Sequence, residues 1–205
     1  MGVVDDAAPR TDAVSRRRDA QRNYDALVAA AEIEFATAGP DVPLDAVVRR
    51  AGVGRGTLYR HFADRRALAA AIYERYTLEH EAWIAEHAAE PDIALRLLAR
   101  MVGIQARTRG VMVILSRDPG GHRRMRGLED RTRALLAVAL ERSQAAGVVA
   151  PTVTVDDLLL VLGMVEGALV GLPFEGAPDA AERVLQLVLP ALTRGPADDT
   201  LLHHA

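Results

Sequence analysis

Residues 42–62 read VPLDAVVRRAGVGRGTLYRHF, and this stretch decides the fold. Its first half carries apolar residues at the spacing of one helix face, namely Leu44, Val47, Val48 and Ala51. Gly52 and Gly54 interrupt that period, because glycine adopts left-handed backbone without steric cost. Leu58 and Phe62 then lie one turn apart, among side chains that carry hydrogen-bond donors. Two short helices joined by a glycine turn predict a helix-turn-helix, a motif whose second helix can read the major groove of DNA.

The segments on either side of the motif also predict helices. Residues 19–38 hold a helical apolar period, which the glycine and proline after them end. Asp64 can cap the next helix, which we expect to run over residues 64–88. Residues 1–18 have no apolar period and predict a flexible arm, either solvated or lying near DNA phosphates. The motif is therefore expected to lie inside a three-helix head over residues 19–66, which the long helix carries.

The composition of the chain limits the classes of protein to which it can belong. The chain of 205 residues is 50% hydrophobic and 26% charged, which is typical of a globular protein. It has no cysteine, which excludes a disulfide framework and thiol chemistry. The first residues lack the apolar run of a secretory signal. The most apolar stretch, residues 158–174, is too short to span a membrane, and it carries the charged residue Glu166. We expect a cytoplasmic protein with no membrane partner.

The net charge of −3 does not by itself favour a nucleic-acid partner. The distribution of charge is more informative, because all 25 basic residues are arginine and nine of them lie in residues 10–62. Arginine binds phosphates and guanine bases through two parallel hydrogen bonds. The head can therefore bind DNA although the whole chain is negatively charged.

The string AGVGRGTLYRHF has an apolar helix before it and a basic residue, Arg65, three positions beyond its Phe. It resembles the DNA-binding signature of the TetR family of bacterial transcriptional regulators, over about residues 20–70. The resemblance implies an all-α protein of about nine helices, in which a three-helix head precedes a helical body for dimerisation and ligand binding. It also implies a transcriptional regulator that binds a palindromic operator as a homodimer, acts as a repressor and is released by a small molecule.

The helix-turn-helix motif spans residues 43–62. The resemblance assigns DNA contacts to its second helix and to the residues just after it. The implied contacts are Arg55, Gly56, Thr57, Tyr59, Arg60, His61 and Arg65. The first three would approach base edges or phosphates, and Tyr59 and His61 would bind backbone phosphates. Arg65 takes the position of a phosphate-binding lysine.

Two positions depart from the family pattern. Pro43 replaces a common Thr, and Gly54 replaces a Ser that commonly caps the recognition helix, so two hydroxyl contacts to phosphate are missing. The affinity would then depend more on arginine. His61 could instead be a surface residue without a role, and Tyr59 could instead be a core aromatic. Phe62 is expected in the core.

The body, over residues 67–195, predicts further helices and no strand. Residues 155–172 are apolar nearly all round, which predicts a helix buried on all sides. Their glycines at 163, 167 and 171 are spaced by four and would let another helix approach closely. Residues 181–192 add a second apolar stripe, in which Pro190 bends or ends the helix. The candidate dimer-interface residues are Leu159, Gly163, Gly167, Leu185, Val188 and Leu192, and residues 196–205 are expected to form a flexible tail.

A pocket for a small, unidentified effector in the body is a further implication of the resemblance. Helix faces supply the candidate lining residues, which are His80, Trp83, Met101, Gln105, Met112, Met164 and Glu166. Ordinary core packing is the alternative for each of them, especially for the methionines. Glu166 differs from the others, because a carboxylate on an apolar helix needs a partner.

Other functions remain open at this point. An enzyme is disfavoured, because the sequence has no glycine-rich phosphate loop, no metal-ligand cluster and no nucleophile motif; we expect no catalytic residue, metal or cofactor. A DNA-binding regulator without a ligand is one alternative. A helical protein-interaction module that has lost DNA binding is another, and the basic residues kept in the second helix of the motif argue against it.

Overall fold

The computed structural model describes residues 8–117, 122–169, 172 and 176–194, and these ranges form nine α-helices and no strand. The helices are α1 (Ala8–Thr37), α2 (Leu44–Ala51), α3 (Arg55–His61), α4 (Arg65–Glu86), α5 (Ile93–Arg107), α6 (Arg109–Ser116), α7 (His122–Ala145), α8 (Val155–Leu169) and α9 (Ala177–Arg194). The all-α prediction is confirmed for these ranges. None of the helices described is long and apolar enough to cross a membrane. The predicted tail, Gly171 and residues 1–7 of the predicted arm lie outside the described residues.

The first helix begins earlier than its apolar period predicts. α1 starts at Ala8, so residues 8–18 are helical and do not form the flexible arm that we expected. Residues 14–22 are exposed, and a helix surrounded by solvent needs no apolar stripe. Each residue added to an existing helix gains a hydrogen bond, and alanine and arginine, which recur here, are strong helix formers. α1 therefore extends beyond its packed, apolar part into solvent.

One apolar core joins α1, α2, α3, α4 and α6. Its buried side chains include Leu27 and Phe35 of α1, Val47 of α2, Leu58 of α3, Leu68 and Ile72 of α4, and Val111, Ile114 and Leu115 of α6. Where α6 begins, Gly110 lies so close to the carbonyl group of Phe35 that a β-carbon would have no room. The head is thus joined to the body by the packing of α6 as well as by the continuous helix α4.

A second core lies in the body, among α5, α7, α8 and α9. Leu97, Leu136 and Leu158 are fully buried there. Ser143 of α7 is also buried, and its hydroxyl oxygen accepts a hydrogen bond of 3.0 Å from the amide of Ala94, which satisfies a donor in the first turn of α5. α9 continues through Pro190 to its last residue at 194, so this proline does not end the helix.

One side of α8 is exposed in the single chain, which corrects the prediction of a helix buried on all sides. Leu160 is 62% exposed and Met164 is 47% exposed, and the exposed glycines at 163 and 167 share their helix face. An all-apolar pattern does not reveal which side meets the chain's own core. Among the predicted interface residues, Gly163 and Gly167 are exposed, Leu159, Leu185 and Val188 are half-buried, and Leu192 is buried in the core of its own chain, which corrects its placement on an outer face.

Candidate nucleic-acid interface and ligand cavity

α2, a glycine turn and α3 form the predicted helix-turn-helix. Gly52 ends α2 with a φ of 67°, in the left-handed region, and its amide donates a hydrogen bond of 3.3 Å to the carbonyl oxygen of Arg49. Gly54 occupies the N-cap of α3 in an extended conformation and Pro43 occupies the N-cap of α2, and neither side chain caps its helix. The two departures from the family pattern therefore fall on the two helix starts of the motif.

α3 is held by one face and presents the other to solvent. Leu58 of α3 and Phe62, the residue directly after α3, are buried in the core that the head shares with α6. On the opposite side, Arg55, Gly56 and Arg60 are exposed and Tyr59 is 58% exposed, while Thr57 is half-buried. Tyr59 is therefore not a core aromatic, whereas Phe62 is. A short helix with a fixed base and an outward row of donors has the form that major-groove recognition requires.

Neighbouring side chains orient two of the outward donors. The guanidinium group of Arg55 forms an ion pair with Asp45 of α2, which connects the two helices of the motif. Arg60 donates a hydrogen bond of 2.9 Å from Nη2 to the hydroxyl oxygen of Thr57, one turn earlier on α3. The sequence did not single out Asp45, although its place in the first turn of α2 is a common one for an acidic residue.

His61 and Arg65 contact the protein itself more than the other predicted DNA contacts do. The His61 ring is half-buried, with its centroid 6.0 Å from that of Tyr24 in an edge-to-face arrangement. Arg65 donates a hydrogen bond to the carbonyl oxygen of Pro40, and its guanidinium carbon lies 5.8 Å from the centroid of the Phe35 ring. Arg65 therefore ties the start of α4 to the loop between α1 and α2, in addition to its predicted phosphate contact.

A cavity of about 550 Å³ lies between α4, α5, α6, α7 and α8. Five of the seven predicted ligand residues line it, namely His80, Met101, Gln105, Met112 and Glu166. Trp83 and Met164 do not, which corrects both placements. Trp83 stacks on His87 with ring centroids 4.3 Å apart, and Met164 lies on the exposed side of α8. Lining residues that the sequence did not single out include Tyr73, Thr77, Thr108, Glu129, Asp130, Thr132, Arg133 and Leu162.

The polar side chains of the cavity are held by specific hydrogen bonds. Arg100 donates from Nε to Nδ1 of His80 at 3.3 Å, and burial, together with the Arg100 charge, lowers the pKa of His80 to about 4. The ring is therefore neutral at pH 7, and with Nδ1 accepting, its proton lies on Nε2. Gln105 donates to the carbonyl oxygen of Leu162 at 3.1 Å, and its own buried oxygen, Oε1, has no hydrogen-bond partner among the described residues.

Two contacts connect the cavity to the head. α6 lines the cavity with Met112, and Thr108 lines it just before α6 begins. Val111 of α6 both lines the cavity and belongs to the core shared with the head. Tyr76 of α4 also lines the cavity, and its hydroxyl group donates a hydrogen bond to Glu32 of α1. A change in the cavity walls therefore reaches α1 and the helix-turn-helix through directly packed side chains.

An exposed, donor-rich recognition helix on a helical body that encloses a cavity defines the class: a helix-turn-helix transcriptional regulator. Residues 27–72 match the model of the family described as bacterial regulatory proteins, tetR family. The chain is 31% identical to the TetR transcription regulatory protein from Mycobacterium vanbaalenii, with 86% of this chain and 98% of that one covered and a TM-score of 0.64. The chain belongs to the TetR family.

Further solved structures share this architecture. A TetR transcriptional regulator from Streptomyces coelicolor is 26% identical, with 82% of this chain and 97% of that one covered and a TM-score of 0.62. A TetR-family regulator from Agrobacterium tumefaciens shares the fold at 18% identity, with 85% and 99% covered and a TM-score of 0.61. No curated protein sequence matches the chain.

Proposed function

We propose that this TetR-family regulator is a repressor that acts in the cytoplasm, binds a palindromic operator as a homodimer, and is released from it by a small molecule. The observation that carries DNA binding is the outward face of α3. Arg55, Arg60 and Tyr59 are exposed there, while Leu58 and Phe62 fix the helix from behind. Arginine and tyrosine donors suit base edges and phosphate oxygens.

The proposed homodimer is supported by apolar surface that the single chain leaves exposed. Leu160 and Met164 of α8 and Leu187 of α9, which is 63% exposed, lie on neighbouring helices. Gly163 and Gly167 lie on the exposed side of α8 and leave space for a second helix backbone, since a β-carbon at either would meet no atom within 4 Å. A two-fold dimer also matches two operator half-sites related by two-fold symmetry.

The proposed release is supported by the cavity and by the position of α6. A ligand in the cavity would touch Met112 and Val111, and the latter also packs in the core shared with the head. A ligand can shift the protein away from DNA only if it binds better to the conformation that does not fit the operator. The part of the cavity wall that would respond to a bound ligand is therefore α6, which also packs against the head.

Selection of duplexes from a random-sequence pool, followed by gel shifts with the selected duplex, tests DNA binding. We expect a palindromic consensus and a binding constant that falls steeply with added salt. Arg60→Ala should weaken binding, whereas the control Arg142→Ala should not, because Arg142 is also an exposed arginine but lies on α7, outside the helix-turn-helix. Absence of any selected sequence, or equal losses in the two variants, would overturn the assignment of α3.

The remaining parts of the proposal have separate measurements. Light scattering during size-exclusion chromatography gives the mass of the particle, and a monomer that binds a single half-site would contradict the homodimer. Transcription from a promoter that carries the selected sequence distinguishes repression from activation. If the protein binds DNA but no compound that enters the cavity alters this binding, the alternative of a regulator without a ligand replaces the proposed release.

A further inference from the structure

The cavity has an excess of negative charge. Glu129 and Asp130 of α7 and Glu166 of α8 line it. Among the described lining residues Arg133 is the one arginine, and its guanidinium group binds Asp156 at 2.6 Å, on the neighbouring helix. In the described part of the chain, no basic side chain lies within ion-pair distance of the three lining carboxylates. A ligand that enters the cavity therefore meets carboxylates that the described basic side chains do not neutralise.

The other titratable groups of the cavity add no positive charge. His80 is neutral at pH 7, because burial and the adjacent Arg100 lower its pKa to about 4. Burial raises the pKa of Tyr73, and the charges of Glu129 and Glu166 raise it further, so its phenol is also neutral. Both carboxylates thus act on the same ring, which lines the cavity beside them. The face of an aromatic ring attracts cations.

The cavity also has an apolar wall and polar groups without a partner among the described residues. Oε1 of Gln105 is a buried acceptor with no donor among the described residues. His80, which is only 6% exposed, uses one ring nitrogen in its bond to Arg100, and we find no second partner for the ring in the described part of the chain. The apolar part of the wall comes from Met101, Ile104, Met112, Leu159 and Leu162. Methionine side chains adapt to ligands of varied shape.

We propose that the effector is an amphipathic organic cation, whose apolar body contacts the methionine and leucine wall and whose charged nitrogen lies beside Glu166 and Glu129, near the ring of Tyr73. The proposal rests on the proposed function in one respect, that the cavity is the effector site. Glu166 contributes most to the attraction of the cation, because it is half-buried, whereas Glu129 and Asp130 are exposed and more strongly screened by solvent and salt. A cavity of about 550 Å³ has the size of sites for drug-sized molecules. Anionic effectors are disfavoured by the same three carboxylates.

Three matched probes test the charge preference directly. The first is a butyltrimethylammonium cation that carries a naphthyl group, the second is its neutral isostere with carbon in place of the quaternary nitrogen, and the third is a naphthyl carboxylate of the same length. Their binding to the DNA-free protein is measured by titration calorimetry at neutral pH. We expect the cation to bind on the order of tenfold more tightly than the isostere, and the carboxylate to bind most weakly.

Two variants separate the proposed contact from a general effect of charge. Glu166→Gln keeps the shape of the side chain and should bring the cation and the neutral isostere to similar affinities. Glu141→Gln removes a carboxylate from the exposed surface of α7, outside the cavity lining, and should keep the preference of the parent protein. Equal binding of cation and isostere to the parent, an unchanged preference in Glu166→Gln, or no binding heat from any probe would overturn the inference.

Release of the selected operator duplex by the same probes is a separate measurement. If the cation binds in a Glu166-dependent way and the DNA stays bound, the assignment of the cavity stands and the proposed release fails. If only the neutral or the anionic probe releases the DNA, the proposed release stands and the preference for a cation is refuted.

Discussion

Gly56 offers a sharp test of where DNA meets the protein, because nothing in the described part of the molecule requires a glycine there. It is the second residue of α3, it is exposed, and a β-carbon added to it would meet no atom within 4 Å. Its backbone conformation is helical, so alanine is not strained. Glycine in a helix is less stable than alanine by roughly 0.5–1 kcal/mol, because it loses more backbone freedom on folding. The chain thus carries a helix-weakening residue that no contact among the described residues requires.

Gly56→Ala should therefore stabilise the protein and weaken DNA binding. For a protein of this size roughly 0.5–1 kcal/mol corresponds to a melting temperature about 1–4 °C higher, at fixed protein concentration. On the DNA side, a methyl group forced into a closely packed contact typically costs about 1–3 kcal/mol. Two half-sites would together lose at least about 2 kcal/mol, so binding to the selected duplex should weaken by at least about thirtyfold.

Scanning calorimetry and gel shifts on the same preparation measure the two effects, and Gly103→Ala is the control. Gly103 lies in α5, and a β-carbon there would touch only a side-chain nitrogen of Arg107 at an ordinary 3.6 Å. The control should gain stability while its DNA affinity remains that of the parent. If Gly56→Ala binds the duplex as tightly as the parent, the start of α3 does not approach DNA and the placement of the recognition helix is refuted.

The contacts of four single residues give further perturbations to test. Arg55→Ala should relax base preference in competition gel shifts while leaving the melting temperature close to that of the parent, because its ion pair with Asp45 is exposed. Arg65→Ala should weaken DNA binding to all sequences alike, and a loss that depends on the base sequence would count against this. It should also lower the melting temperature, because the variant lacks the hydrogen bond to the carbonyl oxygen of Pro40, worth about 1 kcal/mol. The pKa of His80 has its ordinary value of about 6.5 in the unfolded chain and is about 4 in the folded chain. The unfolded chain therefore takes up the proton more readily. The associated stability is therefore complete above the unfolded pKa and is lost as the pH falls towards about 4, by on the order of 2 kcal/mol at about pH 5. His80→Gln should flatten this part of a calorimetric pH series, and an unchanged slope would contradict the low pKa. Gly167→Leu has room in the single chain, so it should fold yet dissociate the proposed dimer in sedimentation experiments; an intact dimer would show that this side of α8 is not the interface.

Features that depend on a few adjacent residues could be predicted from the sequence. The glycine turn is one of them, since left-handed backbone at Gly52 needs only the residue itself. The cap of α4 is another, because Asp64 accepts a hydrogen bond of 2.8 Å from the amide of Ala67, three residues on. The amphipathic face of α3 is the third, and it placed Leu58 and Phe62 in the core and Tyr59 outside. The helix-turn-helix was therefore predicted in detail, while its DNA contacts stay predictions.

Features that depend on which elements pack together could not be predicted in this way. Periodicity placed Trp83 and His80 on similar faces of α4, yet only His80 lines the cavity, because the two side chains differ by about 60° around the helix at an i, i+3 spacing. Trp83 instead packs beside Arg96 of α5, whose guanidinium carbon lies 5.6 Å from its ring centroid. Likewise, the pattern of α8 is apolar on every side and does not distinguish Met164, which is exposed, from its buried neighbours.

The packing of α6 constrains how an effector could act on the head. Val111, Ile114 and Leu115 are buried in the core that α6 shares with the head. Exposing a buried side chain of this kind costs about 1.5–3 kcal/mol, so peeling all three away would cost roughly 5–9 kcal/mol. Coupling between two binding sites is typically only about 1–3 kcal/mol. An effector that acts through α6 therefore cannot detach it, and must move α6 and the head together as one packed unit. The absence of room for a β-carbon between Gly110 and Phe35 supports this, because such a close contact transmits a displacement instead of absorbing it.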